Sequence, residues 1–227
     1  GKSRARARIR NRAHRRGAPA HPSSHRLPVH WRRPSFRSAD AGSPGTRLAG
    51  DVSLHPVSTR GYVKIFKEDT SVGLGWVQEG DNILGEANYD YFGYSVALSG
   101  LGDIIAIGGY DNNGNGASDS GHVRVYQSDS ISISGWSQLG IDIDGEAAHD
   151  QSGYSVAISY SGDIVAIGAR YNDGVGTDSG HVRVYQRDPT SSLGWVQVGN
   201  DVDGETSGDS SGFPVALSAN GHVLASG

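Results

Sequence analysis

From residue 61 onward the apolar positions come in short clusters cut by Gly, Asn, Asp and Ser. YSVALS (94–99) and YSVAIS (154–159) carry β-branched alternation behind a Gly. DIIAIGG (103–109) and DIVAIGA (163–169) are continuous apolar runs, the pattern of strands buried on both faces. HVRVYQ, at 122–127 and again at 181–186, alternates; this places Val123 and Val125 on one face and Arg124 on the other, with Arg183 its counterpart. GWSQLG (135–140) and GWVQVG (194–199) predict a fourth, shorter strand with an aromatic anchor. The intervening Gly, Asn, Asp and Ser clusters are turn chemistry. No segment long enough for a helix shows a helical period.

These elements recur at a fixed interval. Trp76, Trp136 and Trp195 are 60 and 59 residues apart, and so are the Gly–Glu pairs that begin at Gly85, Gly145 and Gly204. Residues 121–168 align with 180–227 without a gap, with 26 identities in 48 positions, which decides for a true internal repeat. Four antiparallel strands in about 60 residues predict the blade of a β-propeller, each sheet covering the faces of its neighbours. The fold expected is all-β, a partial propeller.

The order Phe92–Gly93, SVALS, Ile107–Gly108–Gly109, repeated as Ser152–Gly153, SVAIS, Ile167–Gly168–Ala169, resembles the FG-GAP repeats of integrin alpha-chain propellers and their microbial relatives. The resemblance covers about 61–227. Its strand order makes 61–90 a half blade, 91–150 and 151–209 whole blades, and 210–227 a second half. The likeness implies an extracellular or cell-surface, adhesion-like role, supported by calcium.

Composition sharpens this picture in three ways. Thirty-four glycines against four phenylalanines fit a turn-rich β protein. The absence of cysteine excludes disulfides, thiolate metal sites and a cysteine nucleophile. No apolar run is long enough to span a bilayer as a helix, so no transmembrane segment is expected. With no methionine and a repeat that stops inside a blade at each end, the chain reads as a segment of a longer propeller.

The formal net charge of −4 conceals two unlike parts. Residues 1–50 carry thirteen Lys or Arg and one acid, Asp40, for a net of +12; residues 51–227 carry seven bases and twenty-three acids, for −16. The Arg-rich stretch 1–60 has the charge of a nucleic-acid arm or a targeting presequence. Its composition, and its standing where half a blade belongs, favour a disordered or non-native segment, and no nucleic-acid partner is expected.

For chemistry, DNNGNGASD (111–119) is the most suggestive stretch. Asp111, Asn113, Asn115 and Asp119 fall at loop positions 1, 3, 5 and 9 around Gly116, a spacing that gathers oxygens for calcium. Against it, His122 stands at position 12 where a Glu would close the cage, and the counterpart YNDGVGTDS (171–179) places Val175 near a ligand position. The family's own calcium loop cannot be transferred, because the matching hairpins GLGD (100–103) and YSGD (160–163) are too short. A second acidic set, Asp142, Asp144, Glu146 and Asp150, recurs only as Glu–x3–Asp (Glu86/Asp90, Glu146/Asp150, Glu205/Asp209), which favours a scaffold task.

His122 and His181 are expected at the surface or hydrogen-bonded, and the three repeated Trp residues between blades. No GxSxG, HExxH, Walker or dinucleotide motif is present. The expectation is therefore a non-enzymatic scaffold that binds a protein or glycan ligand through loops 110–119 and 170–178. The alternative is the propeller domain of a larger secreted enzyme, a hydrolase or lyase, with its active site in other blades.

Overall fold

The computed structural model describes residues 59–227, apart from 70, 72 and 74 and the side chain of Asn115. The basic stretch up to residue 58, where a disordered or non-native segment is expected, lies outside the described residues.

The described chain is all-β, with a single 3-10 turn at Gly114–Gly116 and no α-helix. Strands β1 (Tyr62–Val63), β2 (Phe66–Asp69), β3 (Gly75–Gln78) and β4 (Ile83–Leu84) form a first, partial unit, in which β1 pairs β4 and β2 pairs β3. The first whole blade holds β5 (Ser95–Leu98), β6 (Ile104–Gly109), β7 (His122–Ser128), β8 (Trp136–Gln138) and β9 (Ile143–Asp144). The second repeats it with β10 (Ser152–Ile158), β11 (Ile164–Ala169), β12 (His181–Arg187), β13 (Trp195–Gln197) and β14 (Val202–Asp203). A final hairpin joins β15 (Val215–Leu217) to β16 (Leu224–Ser226).

Both whole blades run antiparallel in the order first, second, third, fourth. The sequence pattern missed one element. β9 and β14 pair with the far end of the third strand, His122 opposite Asp144 and His181 opposite Asp203, beyond the reach of the short fourth strand. Two-residue strands carry no readable alternation, so only the structure exposes them.

Burial follows the apolar runs. All six residues of β6 are buried, and Val123 and Val125 of β7 face the same core while Arg124 stays partly open. Ile107 and Val165 are fully enclosed, each contributing about 1.5–3 kcal/mol by leaving water. Clusters of buried residues straddle the blades: Ile105, Ile107 and Trp136 pack with Val63 and Ile83 of the first unit, while Ile104 and Val125 pack with Val165 and Trp195.

Two glycines explain how closely the sheets stack. A Cβ on Gly108 would lie 2.1 Å from the Gly153 carbonyl oxygen of the next blade, and one on Gly168 would lie 2.0 Å from that of Gly212. Single parallel bridges, Gly121 to Ser152 and Gly180 to Ser211, tie consecutive blades backbone to backbone.

Candidate functional site

The start of each first strand and the end of each second strand meet at one end of a blade, because the two run antiparallel. Aromatic side chains collect there. Tyr94 stands just before β5, Tyr154 lies in β10, and Phe213 precedes β15, each directly after a repeated glycine. Tyr110, just past β6, fills the space between them. Ring centroids are 4.7 Å apart for Tyr94–Tyr110, 4.9 Å for Tyr94–Tyr154, 5.0 Å for Tyr110–Tyr154 and 4.8 Å for Tyr154–Phe213. Tyr91 stacks on Tyr110 at 5.2 Å, so five rings form one row across three units. Tyr94 is 50 % exposed and Phe213 49 %, so part of each side chain is open to a ligand, while the Tyr94 hydroxyl donates to that of Tyr154 at 2.9 Å.

Polar groups border the row. The Arg170 guanidinium lies 3.7 Å from the Tyr154 ring centroid and 4.2 Å from that of Tyr171. Its Nε donates to Gln151 Oε1 at 3.0 Å, and Gln151 Nε2 donates to Asp111 Oδ1 at 2.9 Å. Burial, and next the charge of Asp111, push the Tyr110 phenol up to about 12, so it remains a neutral donor. An open aromatic surface edged by planar, hydrogen-bonding side chains is suited to a flat ligand with hydroxyls around its rim. The sequence reading missed this row, although the aromatic after each repeated glycine was its signal.

The proposed calcium loop lies beside it. Asp111 accepts from Gln151, while Asn113 Oδ1 accepts the Asp119 backbone N–H at 2.9 Å. Asp119 Oδ2 stands 3.3 Å from His149 Nδ1. Burial and then the nearby Asp119 charge raise the Asp111 carboxyl above its usual range. The Asn115 side chain, fourth of the set, is outside the described residues. Asp111 and Asp119 thus share a field, while Asn113 is already engaged by the backbone.

The second acidic set divides by role. Asp150 Oδ2 accepts the Ala147 N–H at 3.0 Å and the Asn172 amide at 3.0 Å; Asp90 does the same with Ala87 and Asn112. These aspartates close a turn and fasten it to the loop of the following blade. Asp142 belongs elsewhere: Arg124 reaches it through Nε at 2.9 Å and a terminal nitrogen at 2.7 Å, and also pairs with Glu86. Burial alone would raise the Asp142 carboxyl, but His122, Arg124 and Gln138 outweigh it and hold the group well below the usual range. Asp142 and Glu86, together with Asp90, Asn112, Gly114 and Asp144, line a cavity of about 310 Å3.

His122 and His181 correct the expectation of surface or satisfied side chains. They are 0 % and 1 % exposed, and no ring nitrogen of either meets hydrogen-bond geometry. Each Nδ1 stands 3.5 Å from a carboxylate, Asp142 for His122 and Asp201 for His181. Among the described residues two triads, Glu86/His122/Asp142 and Glu146/His181/Asp201, hold ligand-type atoms within 4.8 Å of one another. Arg124 pairs with both Glu86 and Asp142 of the first triad, and Arg183 with Glu146 of the second, so these three carboxylates already have a resident cation.

Residues 142–185 match the FG-GAP repeat family. They run from the β9 turn of one blade into the third strand of the next. No curated protein matches the chain. Among solved structures the chain is similar to the periplasmic gluconolactonase PpgL of Pseudomonas aeruginosa, at 12 % identity and a TM-score of 0.33; the match covers 56 % of this chain and 31 % of that one. That neighbour is an enzyme; a likeness at this TM-score assigns no activity to this chain, and the expectation that it is not an enzyme is withdrawn on other grounds. The physical reason is that repeated strands form the scaffold, while reacting groups stand on loops; a regular repeat gives no ground for excluding catalysis.

Proposed function

We propose that this chain, an FG-GAP-type β-propeller repeat protein, is the ligand-recognition part of an extracellular protein and that its ligand is a glycan. The five-ring row with its Arg170–Gln151–Asp111 border carries the reading. A pyranose presents an apolar C–H face that stacks on Tyr94 and Phe213, and a rim of hydroxyls that Arg170, Gln151 and Asp111 can donate to or accept from. A row spanning three units suits an extended oligosaccharide better than a single sugar.

Within this reading the chain serves as the propeller domain of a secreted hydrolase or lyase, holding the polymer while groups on other blades react. An adhesive role would use the same surface without turnover. Calcium belongs to the proposal as an ion that stiffens the 111–119 loop, since a cation would relieve the mutual repulsion of Asp111 and Asp119. Among the described residues no helix is long and apolar enough to cross a membrane.

Calorimetric titration of the chain with chito-, cello- and galacto-oligosaccharides tests the reading. Binding by one class, weakened at least about tenfold by Tyr94→Ala and by Arg170→Ala, is the expected result. Absence of binding across all three, or binding that ignores both substitutions, would overturn it.

A further inference from the structure

The two whole blades differ at a pair of positions that touch each other. Tyr91 of the first corresponds to Gln151 of the second, and Tyr110 to Arg170. The backbone is alike in both, with φ +52° at Tyr91 and +57° at Gln151. In the first blade the two side chains meet as stacked rings, with centroids 5.2 Å apart. In the second they meet through a hydrogen bond, Arg170 Nε to Gln151 Oε1 at 3.0 Å. The fold accepts either contact, so the scaffold does not dictate the polar pair.

Arg170 is held firmly and left chemically open. Tyr154 and Tyr171 take its guanidinium at 3.7 and 4.2 Å from their ring centroids, and Gln151 ties down Nε. Its terminal nitrogens make no hydrogen bond to any described residue, and no described carboxylate forms an ion pair with it. That is notable in a stretch, 51–227, with twenty-three acids. Gln151 supplies the reason for Asp111: the amide Nε2 donates to Asp111 Oδ1 at 2.9 Å and so stands between acid and base. A guanidinium with its plane fixed and its two-nitrogen edge free is a fork for a planar oxyanion. The whole group lies within the series, with strands β5–β9 before it and β15–β16 after.

We infer that the Arg170 edge is a subsite for the carboxylate of a uronic acid residue, which makes the recognised glycan an acidic one. This rests on the glycan reading above and gives the aromatic row a direction. The Tyr91–Tyr110 end takes an uncharged sugar, and the Gln151–Arg170 end takes the uronate. A hexuronate differs from its neutral parent only at C6, where a carboxylate replaces the primary alcohol. That carboxylate accepts two N–H bonds from Arg170, while the partly exposed Tyr94 and Phe213, which flank Tyr154, hold the sugar rings. Contact with the guanidinium is direct, whereas the acidic excess of the chain is screened beyond about 8 Å at physiological salt.

Calorimetric titration at about 0.15 M salt tests this with chito-, cello- and galacto-oligosaccharides, their C6-carboxylate forms of the same linkage and length, and their C6-sulfate esters. The native chain should bind the carboxylate form of one class at least about tenfold more tightly than its neutral parent, as two charge-assisted bonds allow. Gln151→Tyr with Arg170→Tyr installs the pair of the preceding blade. With far-ultraviolet circular dichroism unchanged, it should bind the neutral parent and show no preference for the carboxylate. Arg170→Gln, a single exchange, should lose the preference as well. Tyr94→Ala should weaken both forms by the same factor. Equal binding of neutral and carboxylate forms by the native chain would overturn the inference and leave the glycan reading standing. So would tighter binding of the sulfate ester, or a preference that survives both Arg170 variants. Absence of binding by every oligosaccharide would overturn the glycan reading and this inference with it.

Discussion

Trp195 donates its indole N–H to the main-chain oxygen of Leu139, 56 residues earlier in sequence and 2.8 Å away in space. One side chain thus fastens the second whole blade to the first. Trp195→Ala is expected to cost about 3–5 kcal/mol, as for a large buried aromatic. Trp195→Phe, which keeps the bulk and loses the donor, should cost less, with about 1 kcal/mol coming from the hydrogen bond. Trp76→Ala, at an exposed position, should leave the unfolding free energy nearly unchanged. Urea denaturation of the three variants checks the ranking.

Gly168→Ala should be among the most destabilising substitutions of a single methyl group in this chain. The new carbon would meet the Gly212 oxygen at 2.0 Å, and neither backbone can yield without opening the sheets. A loss of about 3 kcal/mol or more is expected, against about 1–2 kcal/mol for Gly199→Ala, whose cost comes only from its positive φ. Chemical unfolding of both separates close approach from backbone freedom.

His181 should make the fold acid-sensitive. Burial, and next the Arg183 charge, lower its pKa below the ordinary value of about 6.5. Above that value the imidazole is neutral in both folded and unfolded chains, and there is no effect. As pH falls below it, the unfolded chain takes up a proton the folded one resists, and stability declines by up to about 1.4 kcal/mol per pH unit until the folded-state pKa is passed. Melting between pH 7.5 and 5, expressed relative to about 6.5, should fall more steeply for the native chain than for His181→Gln.

Asp150 accepts from two donors, the Ala147 N–H and the Asn172 amide, and is itself buried. Asp150→Ala should therefore cost about 1–3 kcal/mol for each orphaned group that water cannot reach. Asp209, the equivalent in the following turn, is exposed, and its removal should be felt far less. Equilibrium unfolding of the two alanine variants compares them directly.

The same turn stores strain that can be relieved. His149 has φ +70° and Tyr89 φ +74°, where the third copy carries Gly208 at φ +84°. His149→Gly should stabilise the fold by about 1 kcal/mol, since only glycine enters this region freely. The gain should appear as a raised midpoint at constant denaturant slope.

Calcium at the 111–119 loop would appear as a rise in melting temperature on adding the ion, reversed by chelator. At a hundredfold excess over Kd the gain would be about 2.7 kcal/mol. Asp111→Asn with Asp119→Asn should abolish it.

The framework was legible in the sequence because it is written several times. The Val123–Val125 alternation, the apolar run through Ile107 and the tryptophan interval each state a fact about burial, and repetition removes chance. The aromatic row was legible in principle, one ring after each repeated glycine, yet its meaning depends on Tyr110, which reaches between units from the far end of β6. Spacing cannot show such a convergence. Nor could it show that Arg124 would already occupy the carboxylates of Glu86 and Asp142, because an acid cluster and its neutralising base read alike along a chain.

Consecutive blades meet through identical pieces, the Gly121–Ser152 and Gly180–Ser211 bridges and the indole N–H bonds to the main chain of the preceding unit. A gene duplication that copies one complete repeat would create a new joint with every donor matched. Copying part of a repeat would strand an indole on one side and a carbonyl on the other. Such a protein can grow or shrink over generations only in whole-repeat steps, and natural variants differing in length should differ by multiples of that unit.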